Sequence, residues 1–305
     1  MPAAPEVKGL PTGKNGRGLR LAELERGRRM MSVMKCLRLL IPLWAALAGT
    51  PALAADKEVK LFLLAGQSNM DGCGRWEELP VELQKNPGNV KIWDNRDAKW
   101  MELGQDSTAI ARNLQFGPEI AFAHGLAKAY PDHEIALVKT SAGGTKLHTQ
   151  WTPGKGMYEL FTRNYRNAVA DLEKAGKKCE IAGMLWMQGE SDSETLEMAN
   201  AYEANLKAMF RDVRDKTGKE HLPIVMGRIS SSLLKKTPWN FDHAAVVQKA
   251  QEAVAAADPD VSIIHTDHLS TLKDNTHFDT KAELTLGEEM ATRMLQAKAK
   301  EKPTP

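Results

Sequence analysis

The chain has 305 residues, of which 42% are hydrophobic and 26% charged, a composition typical of globular proteins and unlike that of a disordered or fibrous chain. Its net charge of +2 hides an uneven distribution, because residues 1–54 carry nine basic and three acidic side chains, which leaves a net charge of −4 on the remainder. A mildly acidic body argues against a nucleic-acid-binding protein, and the length suits one large α/β domain or two small ones.

The first 54 residues have the pattern of an export signal. Lys35 and Arg38 precede the short apolar stretch 39–48, and the small residues at 52–54, Ala-Leu-Ala, provide a cleavage site. A helix that spans a bilayer needs about 20 apolar residues, so this stretch favours a cleaved signal peptide over a retained membrane anchor.

The sequence therefore predicts four segments. Residues 1–29 are interpreted as a disordered or mis-assigned extension, 30–54 as the signal peptide, 55–298 as the folded domain and 299–305 as a disordered tail. Cleavage near Ala54 would deliver a secreted or periplasmic protein, and no stable membrane partner is expected.

The first predicted strand of the folded domain, 59–65, is a continuous apolar run that stops at Gly66. Ser68 follows two residues later, which would leave its side chain at the carboxyl edge of the sheet, where open α/β sheets bind ligands. A strand followed by Gly-x-Ser is equally typical of an ordinary turn, so this stretch alone leaves both interpretations open.

Residues 71–116 show little regular structure apart from a predicted hairpin of two short strands, 90–93 and 99–103. A connection this long usually has a function in a compact domain. We expect it to form a wall of the site.

Four more apolar strands then alternate with helical patterns. The strands are 135–139, 181–187, 222–228 and 261–264, and the helices are 117–130, 157–174, 194–216, 241–257 and 280–298. Strands that are apolar on both faces are typical of parallel sheets covered by helices. The pattern predicts a three-layer α/β/α sandwich around a doubly wound, mainly parallel five-stranded sheet.

Residues with chemical potential follow four of these strands, and parallel strands end at one edge of a sheet. After Ser68 come Gly143 and Gly144, then Gln188 and Glu190, and finally Asp274 and His277. Ester hydrolysis needs a nucleophile, a base such as histidine, a carboxylate that orients it and amide donors for the oxyanion. Taken singly, each residue also fits a capping aspartate, a surface histidine, a plain loop or a buried amide.

Two other features have simpler interpretations. His265 and His268 suggest a metal site, but further ligands are lacking, so no metal is expected, and Asp267 is left as a candidate supporting acid. Cys73 and Cys179 are predicted at opposite ends of the sheet, too far apart for a disulfide.

Four short blocks carry a resemblance that covers roughly residues 59–295. They are Gly66-Gln67-Ser68-Asn69-Met70, Ser141-Ala142-Gly143-Gly144-Thr145, Gln188-Gly189-Glu190-Ser191-Asp192 and Asp274-x-x-His277-Phe278. Together they resemble the SGNH-hydrolase superfamily, with its flavodoxin-like sheet, and within it the sialic acid-specific acetylesterase and acetylxylan esterase group. The absence of Gly-x-Ser-x-Gly argues against the elbow of ordinary α/β-hydrolases.

The resemblance implies a role for each block. Ser68 is the expected nucleophile, His277 the base and Asp274 its partner. The expected oxyanion hole comprises Ser68, Gly144 and Gln188, with Gly143 as the alternative amide donor. Support for the site is expected from Gln67, Asn69, Gly143 and Glu190.

The expected function is that of an exported serine esterase that removes O-acetyl groups from carbohydrates, such as acetylated xylan or sialic acid, without a metal or cofactor. The alternatives are an esterase or thioesterase of other acyl chains, and a non-catalytic carbohydrate-binding protein on the same fold. Candidates for stacking on sugar rings are Trp76, Trp93, Trp100 and Trp151, although packing is the commoner role of tryptophan.

Overall fold

The computed structural model describes residues 57–105, 107 and 114–301. The described strands are β1 (Val59–Gly66), β2 (Gly74–Arg75), β3 (Val90–Asp94), β4 (Lys99–Glu102), β5 (Gln115–Phe116), β6 (Glu134–Ser141), β7 (Cys179–Met187), β8 (Ile224–Arg228) and β9 (Val261–His265). The described α-helices are α1 (Ser68–Asp71), α2 (Glu119–Ala129), α3 (Gly156–Lys174), α4 (Leu196–Thr217), α5 (Ala244–Ala257) and α6 (Thr280–Glu301).

Seven of the strands form one sheet in the order β4-β3-β6-β1-β7-β8-β9, with every neighbouring pair parallel except β3 and β4. The five predicted parallel strands are confirmed, but the predicted number of strands is too low. The predicted hairpin, β3 and β4, extends the sheet by two strands, because β3 pairs with β6 and places Val90 opposite Ile135.

Helices cover both faces of the sheet. On β7, Gly183 faces Met294 of α6, whereas Trp186 contacts Phe210 of α4 at a centroid distance of 6.5 Å. Positions three apart on a strand point to opposite faces, so α6 and α4 lie on opposite sides. Since α2 packs on α6 and α5 packs on α4, the expected three-layer sandwich is confirmed.

The register of the central strands places the site. Gly66, the last residue of β1, pairs with Ser141 of β6 on one side and with Met187 of β7 on the other. The three strands therefore end side by side, and the segments that follow them leave the sheet at one edge. Nearly all of β1 is fully buried, as its unbroken apolar sequence predicts.

The ends of the chain and its cysteines complete the comparison with the sequence. Helix α6 continues to Glu301, past the predicted end at 298, whereas the predicted extension, signal peptide and residues 302–305 lie outside the described residues. Cys73 and Cys179 form no disulfide, as expected. Within the described ranges, no helix is both long and apolar enough to cross a bilayer.

Candidate active site

Ser68 lies at the tight turn that joins β1 to α1. Gly66 permits this turn because it has no Cβ. A Cβ at that position would lie 2.0 Å from the carbonyl oxygen of Met187 on the neighbouring strand. Helix α1 begins at Ser68, where the carbonyl of Gln67 accepts its first backbone hydrogen bonds. The N–H of Ser68 has no acceptor among the described residues, as is usual for the first turn of a helix. The turn therefore presents a hydroxyl and an unpaired N–H together.

Asp274 and His277 form a close acid–imidazole pair. His277 Nδ1 lies 2.7 Å from Asp274 Oδ2, while Asp274 Oδ1 accepts the backbone N–H groups of Thr276 and His277 at 2.9 and 3.0 Å. Burial alone would raise the pKa of Asp274, but these hydrogen bonds outweigh it and lower the pKa below its ordinary value. The carboxylate holds the Nδ1 proton of neutral His277 and leaves Nε2 as the basic nitrogen.

Ser68 and His277 line one cavity of about 390 Å³. Its other lining residues are Gln67, Asp71, Gly72, Cys73, Gln115, Gly143, Gly144, Ser191, Glu194, Trp239, Phe241 and Thr276. Among the described atoms, no hydrogen bond joins Ser68 Oγ to the imidazole. Contacts of this kind frequently tighten only when substrate binds.

The glycine loop after β6, residues 142–145, borders Ser68. A Cβ built on Gly143 would lie 3.6 Å from the Cβ of Ser68, and Gly144 has a φ of +72°, in the left-handed region that favours glycine. Neither glycine N–H is bonded to an acceptor in the described part of the chain. Both stay candidates for an oxyanion donor beside the N–H of Ser68.

Gln188 is not placed in the cavity. Its side chain is fully buried, and Nε2 lies 3.1 Å from Gln67 Oε1, 3.0 Å from the carbonyl oxygen of Thr145 and 2.7 Å from Asp192 Oδ2. The expected donation from this amide to an oxyanion is therefore not seen in the structure. The geometry instead makes Gln188 a positioning residue that fastens the glycine loop to the residue before Ser68.

Asp192, which the sequence did not single out as a site residue, explains this arrangement. Its carboxylate attracts the Gln188 amide and also accepts the backbone N–H groups of Leu147 and His148 at 2.6 and 2.9 Å. Burial raises the pKa of Asp192 despite these hydrogen bonds. The side chain holds the segment that follows the glycine loop.

Asn69 connects the turn of Ser68 to the histidine loop, which carries Asp274 and His277. Its Nδ2 donates to Glu190 Oε1 at 2.6 Å and to the carbonyl of Thr276 at 3.1 Å, and its Oδ1 accepts the N–H of Phe278 at 3.0 Å. Glu190 is fully buried, its second oxygen has no partner among the described residues, and burial raises its pKa. These bonds link the turn of Ser68 to the loop of His277, and the supporting role of Asn69 and Glu190 in the site stays a prediction.

The histidines near the end of β9 each lie beside one carboxylate, Glu252 for His265 and Glu289 for His268. His268 Nε2 is 2.7 Å from Glu289, and Asp267 pairs with Arg228 and accepts the N–H of Ser231 at 2.7 Å. Asp267 therefore supports Arg228 rather than His277, which corrects its expected role. The described residues contain no group of three or more His, Cys, Asp or Glu side chains arranged to hold a metal.

The comparison with known families decides the class of the protein. The pattern of the carbohydrate esterases described as sialic acid-specific acetylesterases matches residues 58–296. The chain belongs to this family. It is therefore a carboxylic-ester hydrolase. The family also supports the predicted activity of an esterase on acetylated carbohydrates.

Individual relatives agree with this assignment. A probable carbohydrate esterase of Arabidopsis thaliana is 26% identical over 256 residues, which are 77% of this chain and 90% of the plant protein. The crystal structure of that plant protein has a TM-score of 0.66 at 24% identity and covers 78% of this chain and 98% of its own. NanS has a TM-score of 0.64 at 16% identity, covering 80% and 99% of the two chains. These structural likenesses establish the fold.

The four tryptophans considered as candidates for stacking on sugar rings have the commoner role, which is packing. Trp76, Trp93 and Trp151 are buried in the core, Trp100 packs against Trp93 at 5.2 Å, and none of the four lines the cavity. The cavity tryptophan is Trp239, which sequence reasoning missed. An available signal was its place in the polar stretch 235–240 after the predicted strand 222–228.

A buried ionic cluster beneath helix α1 was also missed. Lys139 Nζ lies 2.8 Å from Glu119 Oε2 and donates to the Asp71 carbonyl of α1 at 2.8 Å. Glu283 accepts the N–H of Cys73 at 3.3 Å, and burial raises its pKa well above the ordinary value. One ammonium and two carboxyl groups are balanced in charge when Glu283 keeps its proton. A lysine within an otherwise apolar strand was the signal.

Proposed function

We propose that this esterase removes O-acetyl groups from carbohydrates through a triad of Ser68, His277 and Asp274 and an acetyl-enzyme intermediate. The observation that carries the proposal is the 2.7 Å contact between His277 and Asp274, in a cavity that also contains Ser68 and unpaired backbone N–H groups. A serine, an oriented base and amide donors at one sheet edge are the parts that acyl transfer needs.

The reaction follows from these positions. Ser68 Oγ attacks the acetyl carbonyl and transfers its proton to His277 Nε2, and the oxyanion accepts hydrogen bonds from the N–H of Ser68 and of Gly143 or Gly144. As the tetrahedral intermediate collapses, His277 protonates the departing sugar oxygen. Water then loses a proton to His277, attacks the acetyl-enzyme and releases acetate and Ser68.

The substrate proposal rests on the size of the cavity and on the family. A volume of about 390 Å³ lies at the lower end of the range for small-molecule sites, enough for an acetyl ester on a sugar. The family and the plant relative are both described as carbohydrate esterases. Esters of long acyl chains are the competing substrates, and equal kcat/KM for acetyl and octanoyl esters would contradict the proposal.

The deciding experiment replaces the nucleophile. Ser68→Ala should lower the hydrolysis of p-nitrophenyl acetate by up to about 10⁶-fold, the scale of losing a triad serine. The matched control is Ser191→Ala, another serine of the same cavity, which should still react covalently with an organophosphate fluoride. Mass spectrometry that finds a full adduct on Ser68→Ala protein would exclude Ser68 as the nucleophile.

A panel of acetylated carbohydrates identifies the sugar. Acetate release would be measured from acetylated xylan, O-acetylated sialic acid and acetylated pectin, with Ser68→Ala protein as the blank. Release from at least one carbohydrate well above that from ethyl acetate is expected. If ethyl acetate is hydrolysed and every carbohydrate is left intact, the carbohydrate part of the proposal fails.

Export is part of the same proposal and is supported by the basic, apolar and small-residue pattern at 35–54. Expression of the full chain in a bacterium should give a mature protein that begins near Ala55. Amino-terminal sequencing of the secreted or periplasmic fraction provides the measurement, and an uncleaved chain in the cytoplasm would contradict export.

A further inference from the structure

Trp239 is a large aromatic side chain at the wall of the cavity, with 46% of its surface exposed. Large apolar side chains beside a site are informative, because an indole left in water gains nothing from folding. The core tryptophans of this chain are accounted for by packing. Trp239 leaves nearly half of its surface exposed, and packing does not account for that exposed surface.

The loop that carries the ring is held in place by hydrogen bonds, and the ring itself lies near another aromatic side chain. The Thr237 hydroxyl donates to the carbonyl of Trp239, and Asn275 Nδ2 donates to the carbonyl of Lys236 at 2.9 Å, which ties this loop to the histidine loop. Phe241 lies 6.1 Å away, centroid to centroid. A ring held in this way loses little conformational freedom when a ligand packs on it.

The contact with His277 shows which part of a substrate the ring meets. The Trp239 and His277 rings are perpendicular, with centroids 5.3 Å apart. In acyl transfer the base protonates the oxygen of the leaving group, whereas the N–H groups near Ser68 and Gly143 hold the carbonyl oxygen. The leaving group of an acetylated carbohydrate is the sugar, so the sugar must lie on the His277 side, next to Trp239.

We infer that Trp239 is the platform on which the sugar ring carrying the acetyl ester packs, and that it selects sugar esters over simple acetates. The C–H groups on one face of a pyranose present an apolar surface that matches an indole face. Trp239 acts on the leaving group and not on the acetyl group. This inference rests on the proposed function and adds a specificity residue to it.

The test compares two substrates that share the acetyl group. Trp239→Ala should lower kcat/KM for an acetylated xylo-oligosaccharide about tenfold, mainly through KM, a loss that corresponds to ~1.4 kcal/mol. Hydrolysis of ethyl acetate, which lacks a ring, should stay near the wild-type rate. Trp239→Phe should recover much of the loss because it keeps an aromatic face.

A binding measurement gives a readout without turnover. In Ser68→Ala protein, calorimetric titration with unacetylated xylo-oligosaccharide should show binding that the Ser68→Ala/Trp239→Ala double variant loses. The matched control is Leu234→Ala, which removes another exposed apolar side chain that does not line the cavity and should leave both measurements unchanged.

The outcomes separate this inference from the proposed function. If Trp239→Ala lowers kcat/KM equally for the oligosaccharide and for ethyl acetate, the ring acts through His277 and the platform role is overturned. It is also overturned if neither substrate changes while the wild type is active on the oligosaccharide. If the wild type hydrolyses ethyl acetate but no carbohydrate ester, the proposed function itself has failed.

Discussion

The site consists of two layers that differ in composition. The upper layer borders the cavity and comprises Ser68, the glycine loop, His277 and Trp239. The lower layer is buried and comprises Asn69, Gln188, Glu190, Asp192 and the cluster of Glu119, Lys139 and Glu283. The upper residues border the cavity, whereas the lower ones bond to one another and to the segments that carry the upper ones.

This difference shows how much of a sequence motif concerns structure rather than chemistry. Of the block Gln188–Asp192, only Ser191 lines the cavity. Its carboxyl and amide groups instead bind the turn of Ser68 and the glycine loop, and Asn69 continues the connection to the histidine loop. Substitutions in the upper layer should therefore lower activity without affecting folding, and those in the lower layer should affect both.

The largest effect after that of Ser68→Ala is expected for Asp274→Asn, which changes the partner of the upper-layer residue His277. The amide would hold the wrong tautomer of His277, so kcat should fall by about 10⁴-fold. The pKa of Asp274 is below its ordinary value, so its stabilising contact is present at neutral pH and lost only as pH falls through that lowered pKa. Steady-state kinetics and melting curves at pH 7 provide the measurement.

The matched control for this variant is Asp267→Asn. Asp267 follows β9 as Asp274 does but pairs with Arg228, so its loss should lower the melting temperature and leave kcat nearly unchanged. Equal losses of kcat in the two variants would contradict the assignment of Asp274.

A smaller loss of activity, combined with a loss of stability, is expected for Asn69→Ala in the lower layer. The change leaves Glu190 and the N–H of Phe278 without their partner, which should cost about 2–3 kcal/mol of unfolding free energy. Displacement of the histidine loop should lower kcat by up to about 100-fold.

Denaturant unfolding and kinetics on the same preparations separate the two effects of Asn69→Ala. Asn164 is the control, because it is also a buried asparagine and donates to Thr140 Oγ1 at 2.9 Å, away from His277. Asn164→Ala should lose stability and keep its kcat. If Asn69→Ala also keeps its kcat, the two layers are not coupled as described.

The smallest effect on activity is expected for Glu283→Gln, and its effect on stability depends on pH. Because burial raises the folded-state pKa of Glu283, the folded state keeps a proton that the unfolded state releases above its ordinary pKa near 4.5. Stability from this group is complete below that pH and falls as pH rises, by at most ~1.4 kcal/mol per pH unit. The glutamine variant does not titrate, so its melting temperature should gain on the wild type between pH 5 and 8.

The control for Glu283→Gln is the exposed Glu220, whose replacement by glutamine should give a difference from wild type that does not change with pH. Scanning calorimetry over this range measures both. A constant difference for Glu283→Gln would mean that the group is ionised in the folded protein.

The fold and the upper layer were accessible from the sequence for a physical reason. Strands buried on both faces have continuous apolar runs, and parallel strands end at one edge, so Ser68, the glycine loop, Asp274 and His277 could be brought together without coordinates. The hairpin itself was predicted, but its attachment to the main sheet was not. A short strand pairs with the edge of a sheet through backbone groups, which carry no sequence signal.

The lower layer could not be predicted in the same way. Whether Gln188 faces the cavity or the interior depends on Asp192 four residues later, and a linear pattern does not show which acceptor attracts an amide. Trp239 presents the converse case. Its position depends on the bond from Asn275 to the carbonyl of Lys236 in the same loop and on its ring contact with His277, and both partners are distant in the sequence.

The bonds of Asn69 to the histidine loop have a consequence for folding. They join positions up to 209 residues apart, almost the whole length of the folded domain. Closing so long a stretch of chain costs entropy that only the assembled sheet can offset. Until the last helix docks, His277 is not held beside Ser68. Recovered esterase activity therefore reports that the entire domain, and not merely its first half, has folded.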